Sequence, residues 1–81
     1  MQFAVRLFAM LREAHGGDAV TVDVPMGATA ADLKAAVAAA SPALADWLPR
    51  VRVAASLAFV PDTYVFAGAE DVALIPPVSG G

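Results

Sequence analysis

At 81 residues the chain can bury one hydrophobic core, and with no cysteine that core has neither a disulfide nor a thiolate metal site to support it, as in a cytoplasmic protein. A net charge of -3 with only five Lys and Arg, scattered at Arg6, Arg12, Lys34, Arg50 and Arg52, provides no basic stripe for a phosphate backbone and excludes nucleic acid as a partner. Hydrophobic residues make up 59% of the chain, but in short segments of alanine and valine; no run approaches the roughly 18 apolar residues that span a bilayer, so no membrane is expected either.

The opening MQFAVRLFAML is broken by Arg6 and alternates, with Phe3, Val5 and Leu7 on one side and Gln2, Ala4 and Arg6 on the other. That is the period of a strand with one buried face over Gln2 to Phe8, and not of a signal peptide. Ala9 to His15 predicts a short helical turn, and Gly16-Gly17-Asp18 a reversal. Val20, Val22 and Val24 then alternate with Thr21 and Asp23 in a second strand, Ala19 to Val24, stopped by Pro25-Met26-Gly27. The two strands form a hairpin.

Thr29 and Asp32 stand three apart, a hydroxyl and a carboxylate able to satisfy the orphan amides of a helix start. The helix buries Ala30, Leu33, Val37 and Ala40 and ends at Pro42. Ser41 to Arg50 connects, with Leu44, Trp47 and Leu48 under the helix end, and Trp47 and all three methionines are expected in the core or at its edge. Val51, Val53 and Ala55 alternate in a third strand, Phe59-Val60 forms a short fourth, and Asp71 to Ile75 is a final apolar strand that Pro76-Pro77 closes. The order ββαβββ defines an α+β domain over residues 1–75, a ubiquitin-like β-grasp with one main helix crossing a mixed sheet of about five strands. Residues 76–81 are a C-terminal tail.

No acid, base, nucleophile or metal-ligand set emerges from the spacing, and His15 reads as an ordinary surface residue beside a glycine turn. The tail Pro76-Pro77-Val78-Ser79-Gly80-Gly81 stands out instead. With glycine at about 7% of residues, a chance terminal Gly-Gly is roughly a 0.5% event. Two residues without Cβ atoms can thread a narrow slot, and six extended residues reach about 20 Å, into a neighbouring active site. A terminal carboxylate is a poor acyl electrophile until it is activated, for which conversion to an acyl adenylate suffices.

Phe8-Ala9-Met10-Leu11-Arg12-Glu13 and Val72-Ala73-Leu74-Ile75-Pro76-Pro77-Val78-Ser79-Gly80-Gly81 resemble the opening F-A-x-L-R-E segment and the ending of the small, sulfur-carrying subunits of molybdopterin synthase, a ubiquitin-like family of sulfur carriers. The likeness runs from end to end and departs from the family at turns, with Ala54-Ala55-Ser56 in place of Ala-Val-Asn and Gly68-Ala69-Glu70-Asp71 in place of Gly-Asp-Glu. It implies that a separate adenylating enzyme uses ATP to activate Gly81, that sulfur replaces AMP to give a thiocarboxylate, and that the large synthase subunit, in a heterotetramer, takes the tail and passes the sulfur to a cyclic pyranopterin phosphate. The chain itself would bind no cofactor or metal and supply no catalytic side chain. Phe8, Arg12, Phe59 and Ile75 match positions through which such a carrier meets its partner; strand parity separately puts Phe8 and Ile75 out of phase with the core. Carriers for thiamine or tRNA thiolation, a ubiquitin-like protein modifier joined through Gly81, and a plain interaction domain are the competing expectations.

Overall fold

The computed structural model describes residues 1–77; Val78, Ser79, Gly80 and Gly81, the tail positions expected to carry the chemistry, lie outside the described residues. Strand β1 (Gln2–Leu7) buries Phe3, Val5 and Leu7 and exposes Gln2, Ala4 and Arg6, and β2 (Ala19–Asp23) pairs with it antiparallel so that Phe3 meets Val22 and Val5 meets Val20. Between them lies helix α1 (Ala9–His15), anchored by buried Leu11. Gly16 ends it at φ 84°, where its N–H donates to the Arg12 carbonyl at 2.9 Å, a left-handed cap that glycine adopts without steric cost.

Helix α2 (Ala30–Ala40) starts on the expected capping box: the Thr29 hydroxyl accepts from the Asp32 N–H at 3.2 Å, and the Asp32 carboxylate accepts from the Thr29 N–H at 2.9 Å. Ala30, Leu33 and Val37 face the core. Ala40 does not; it is exposed on the last helical turn, and the core position there goes to fully buried Leu44 from the following 3-10 turn, Pro42–Leu44. Met26 is likewise 77% exposed, because the turn that stops β2 projects it outward, whereas Met1, Met10 and Trp47 pack at the core edge as expected.

A second 3-10 turn (Leu48–Arg50) leads into β3 (Arg52–Ala55), β4 (Ala58–Val60) and β5 (Val72–Ile75). β3 and β4 form an antiparallel hairpin. β5 pairs parallel with β1 and antiparallel with β3, giving the sheet order β2-β1-β5-β3-β4. Sequence-read strand ends shift by at most one residue, β4 gaining Ala58 and the other strands receding; Phe8, for example, caps α1 in place of extending β1. Val5, Val53, Val72 and Leu74 from three strands lie with Leu33 and Val37 in one core on the helix side of the sheet. The fold is the ubiquitin-like β-grasp.

The long connection before β5 is held by backbone and by one carboxylate. Phe66 donates its N–H to Ala28 and packs its ring 5.0 Å from Phe3, while Glu70 accepts from the Ala67 N–H at 2.7 Å, the Gly68 N–H at 2.8 Å and the Tyr64 hydroxyl at 2.7 Å. The amide of Ala67 above all, against some desolvation, brings the Glu70 carboxyl down from its ordinary 4.5 to about 2. The folded state therefore keeps Glu70 ionised while the unfolded chain protonates, so its stabilisation is complete above pH 4.5 and is lost as pH falls from 4.5 towards 2. Glu70→Gln is expected to lower stability by about 1 kcal/mol at neutral pH and to flatten the acid dependence in that window, as measured by thermal unfolding at stepped pH.

Candidate functional site

Because side chains alternate across the strands, burying one set beneath α2 leaves another on the opposite face. Ala54 and Ala73 sit opposite each other in register, as do Ala54 and Phe59 and, one step along, Arg52 and Ile75. With Phe8 and Leu57, the apolar side chains of Ala54, Phe59, Ala73 and Ile75 line a groove of about 270 Å³, closed at its margin by an Arg6–Asp71 ion pair at 3.3 Å. Phe8 reaches it because the residue after β1 stays extended, with φ -129° and ψ 155°, before the chain turns into α1. The Arg52 guanidinium lies 3.9 Å from the centre of the Phe59 ring, a cation–π contact that fixes the ring at the groove's side.

The structure thus brings together Phe8, Phe59 and Ile75, three of the positions singled out in the sequence. Phe8 is 43% and Phe59 52% exposed, large values for phenylalanine, so these rings are presented to solvent and do not complete the core. Arg12 does not line the groove; it lies on α1 and pairs with Asp18 at 3.8 Å. Pro76 and Pro77 leave directly from Ile75, so the groove stands at the foot of the tail. Sequence reasoning missed Leu57, which is 95% exposed; its signal was a lone leucine in the gap between two alternating runs.

His15 is not the plain surface residue its glycine neighbours suggested. Its Nδ1 lies 2.7 Å from the Oγ of Ser41, a residue only 5% exposed, and the pair ties the end of α1 to the end of α2. Among the described residues no group of three His, Cys, Asp or Glu is placed to hold a metal ion, and no helix is long and apolar enough to cross a membrane.

The β-grasp carries its apolar groove beside the end of its last strand. Residues 5–81 match the ThiS family, and the chain belongs to it. A molybdopterin synthase sulfur carrier subunit from Chlamydomonas reinhardtii is 36% identical over 83 residues, covering all of both chains. Among solved structures, SAMP1 from Haloferax volcanii superposes with a TM-score of 0.86 at 31% identity over all of both chains. The complex of subunits 1 and 2 of molybdopterin-converting factor from Helicobacter pylori contains a chain with a TM-score of 0.68 at 20% identity over the full lengths, a likeness of fold.

The groove residues belong to the surface. Phe8→Asp is expected to keep the fold and change stability by no more than about 0.5 kcal/mol, since Phe8 makes no side-chain cap at the head of α1 and Asp suits that position. Leu74→Ala, one face away and fully buried, should cost about 2–5 kcal/mol. Circular dichroism and thermal melting of the two variants check the contrast.

Proposed function

We propose that this chain is the sulfur-carrying subunit of a molybdopterin synthase, working in the cytoplasm without a catalytic side chain, metal or bound cofactor of its own. The observation that carries the reading is the 36% identity, over the full length of both chains, to a relative of that name. An adenylating enzyme joins the Gly81 carboxylate to the AMP moiety of ATP and releases pyrophosphate. A hydrosulfide equivalent then attacks the carbonyl carbon and expels AMP, leaving a thiocarboxylate. The tail enters the large synthase subunit, which transfers the sulfur to a cyclic pyranopterin monophosphate; two carriers serve each dithiolene, in a heterotetramer.

The residues support each part of this division of labour. Val78 to Gly81 add about 13 Å of reach beyond Pro77 when extended, and Gly80 and Gly81 leave no Cβ to obstruct a slot. The groove of Phe8, Phe59 and Ile75 at the foot of the tail offers the apolar surface on which a partner can seat. A modifier joined to lysines through Gly81 is the second reading, favoured by the 31% identity and 0.86 TM-score to SAMP1.

Intact mass distinguishes them. With an adenylating enzyme, ATP and a sulfur source, the chain should gain about 16 Da as sulfur replaces oxygen, and deletion of Gly81 should abolish the gain. A ladder of lysine conjugates in place of that shift would support the modifier, and a gain that survives the deletion would contradict both.

A further inference from the structure

The turn between β3 and β4 has only two residues, Ser56 and Leu57, and both have positive φ, 50° and 72°. Such hairpin turns favour Asn-Gly, because a bulky side chain at positive φ collides with its own backbone. The turn is nevertheless held: the Ser56 N–H donates to the Asp71 carbonyl at 2.9 Å, and Ala55 pairs with Ala58. Among the described residues the only other non-glycine at positive φ is Ala9, at 48°, next to Phe8. All three therefore adjoin the same groove.

A single exposed leucine needs no explanation, but one in a backbone conformation that favours glycine does. Leu57 is 95% exposed, so it repays the strain with no packing inside its own chain. From these observations we infer that Leu57 is an anchor residue for the partner that receives the tail, buried by the large synthase subunit when the carrier docks. The inference rests on the sulfur-carrier reading.

Geometry selects this occupant. β5 runs from Val72, opposite Ala55, to Ile75, so the groove extends about 10 Å from the hairpin end to the foot of the tail. Only about 13 Å of chain separates Pro77 from the carbonyl of Gly81. A protein that holds that carbonyl in its active site must press against the Phe8 and Ile75 end, and Leu57 extends the same apolar strip to the other end. A continuous apolar strip suits a standing subunit contact better than an enzyme that releases the carrier at each turnover.

The test uses the full-length chain, the large subunit and the adenylating enzyme, with Leu57→Gly, Leu57→Ala and Leu57→Met. Leu57→Gly should raise the melting temperature by several degrees as strain is relieved, and Leu57→Ala should leave it within about 2 °C of wild type. Both should weaken binding to the large subunit at least tenfold by calorimetric titration, and Leu57→Met should bind within about threefold. Binding of Leu57→Ala within twofold of wild type would overturn the assignment, as would a melting temperature lowered by the Ala variant, which would mean that Leu57 packs internally. A loss in thiocarboxylation rate with binding to the large subunit unchanged would move the anchor to the adenylating enzyme, and a wild-type dimer dissolved by Leu57→Ala would move it to a second copy; either contradicts the large subunit as occupant. A wild-type chain that is neither thiocarboxylated nor bound by the large subunit would instead sink the sulfur-carrier reading itself.

Discussion

β5 hydrogen-bonds on both sides, parallel to β1 and antiparallel to β3, and this double pairing joins the N-terminal hairpin to the second half of the chain. A parallel pair cannot be closed by a tight turn, so α2 and the connections around it must cross between the first strand and the last. They do so on one side of the sheet, over Val5, Val53 and Leu74. The helix-covered face becomes the core and the other face stays open. Placing the last strand in the middle of the sheet also means that the chain's end leaves beside Phe8 and Ile75, where the open face is most apolar, and not from an outer edge.

The same region concentrates features that do not serve the stability of the isolated domain. Phe8 and Phe59 expose much of their rings, Leu57 nearly all of its side chain, and Ala9, Ser56 and Leu57 hold positive φ angles. Elsewhere local and global preferences agree: the reciprocal cap at Thr29 and Asp32, glycine at the left-handed end of α1, and a carboxylate holding two loop amides before β5. A fold that follows the rules on its helix side and departs from them around one groove points to use of that groove by another molecule.

Most of the fold was legible because period-two alternation is a strong signal when one face is buried. Phe3, Val5 and Leu7, Val20 and Val22 of the second strand, and the Thr29–Asp32 spacing all fell where the sequence placed them, and Val24 is buried just past the strand's end. Ala40 misled because alanine fits a buried and an exposed helical position equally, and the decision was made by Leu44 arriving from the next turn. Met26 misled because hydrophobicity does not reveal that a turn points outward. His15 was misread because its partner, Ser41, lies 26 residues away, beyond the reach of local spacing. Of the candidate site, the parity of Phe8 and Ile75 was readable; Leu57 was not, since its turn lacks the glycine or asparagine by which tight hairpins are usually recognised. Arg12 shows the opposite limit, a position matched by motif that packs on α1 away from the groove's lining.

The central claim is that the open face of the sheet, and not the helix side, receives the partner that takes the tail. Amide chemical-shift mapping of the labelled chain, titrated with the large synthase subunit, tests it most directly. The account predicts that the perturbed amides cluster at Phe8 and Ala9, along Ala73 to Ile75 and from Ser56 to Phe59, with α2 unchanged from Ala30 to Ala40. Perturbation centred on α2, with those strand positions silent, would contradict it.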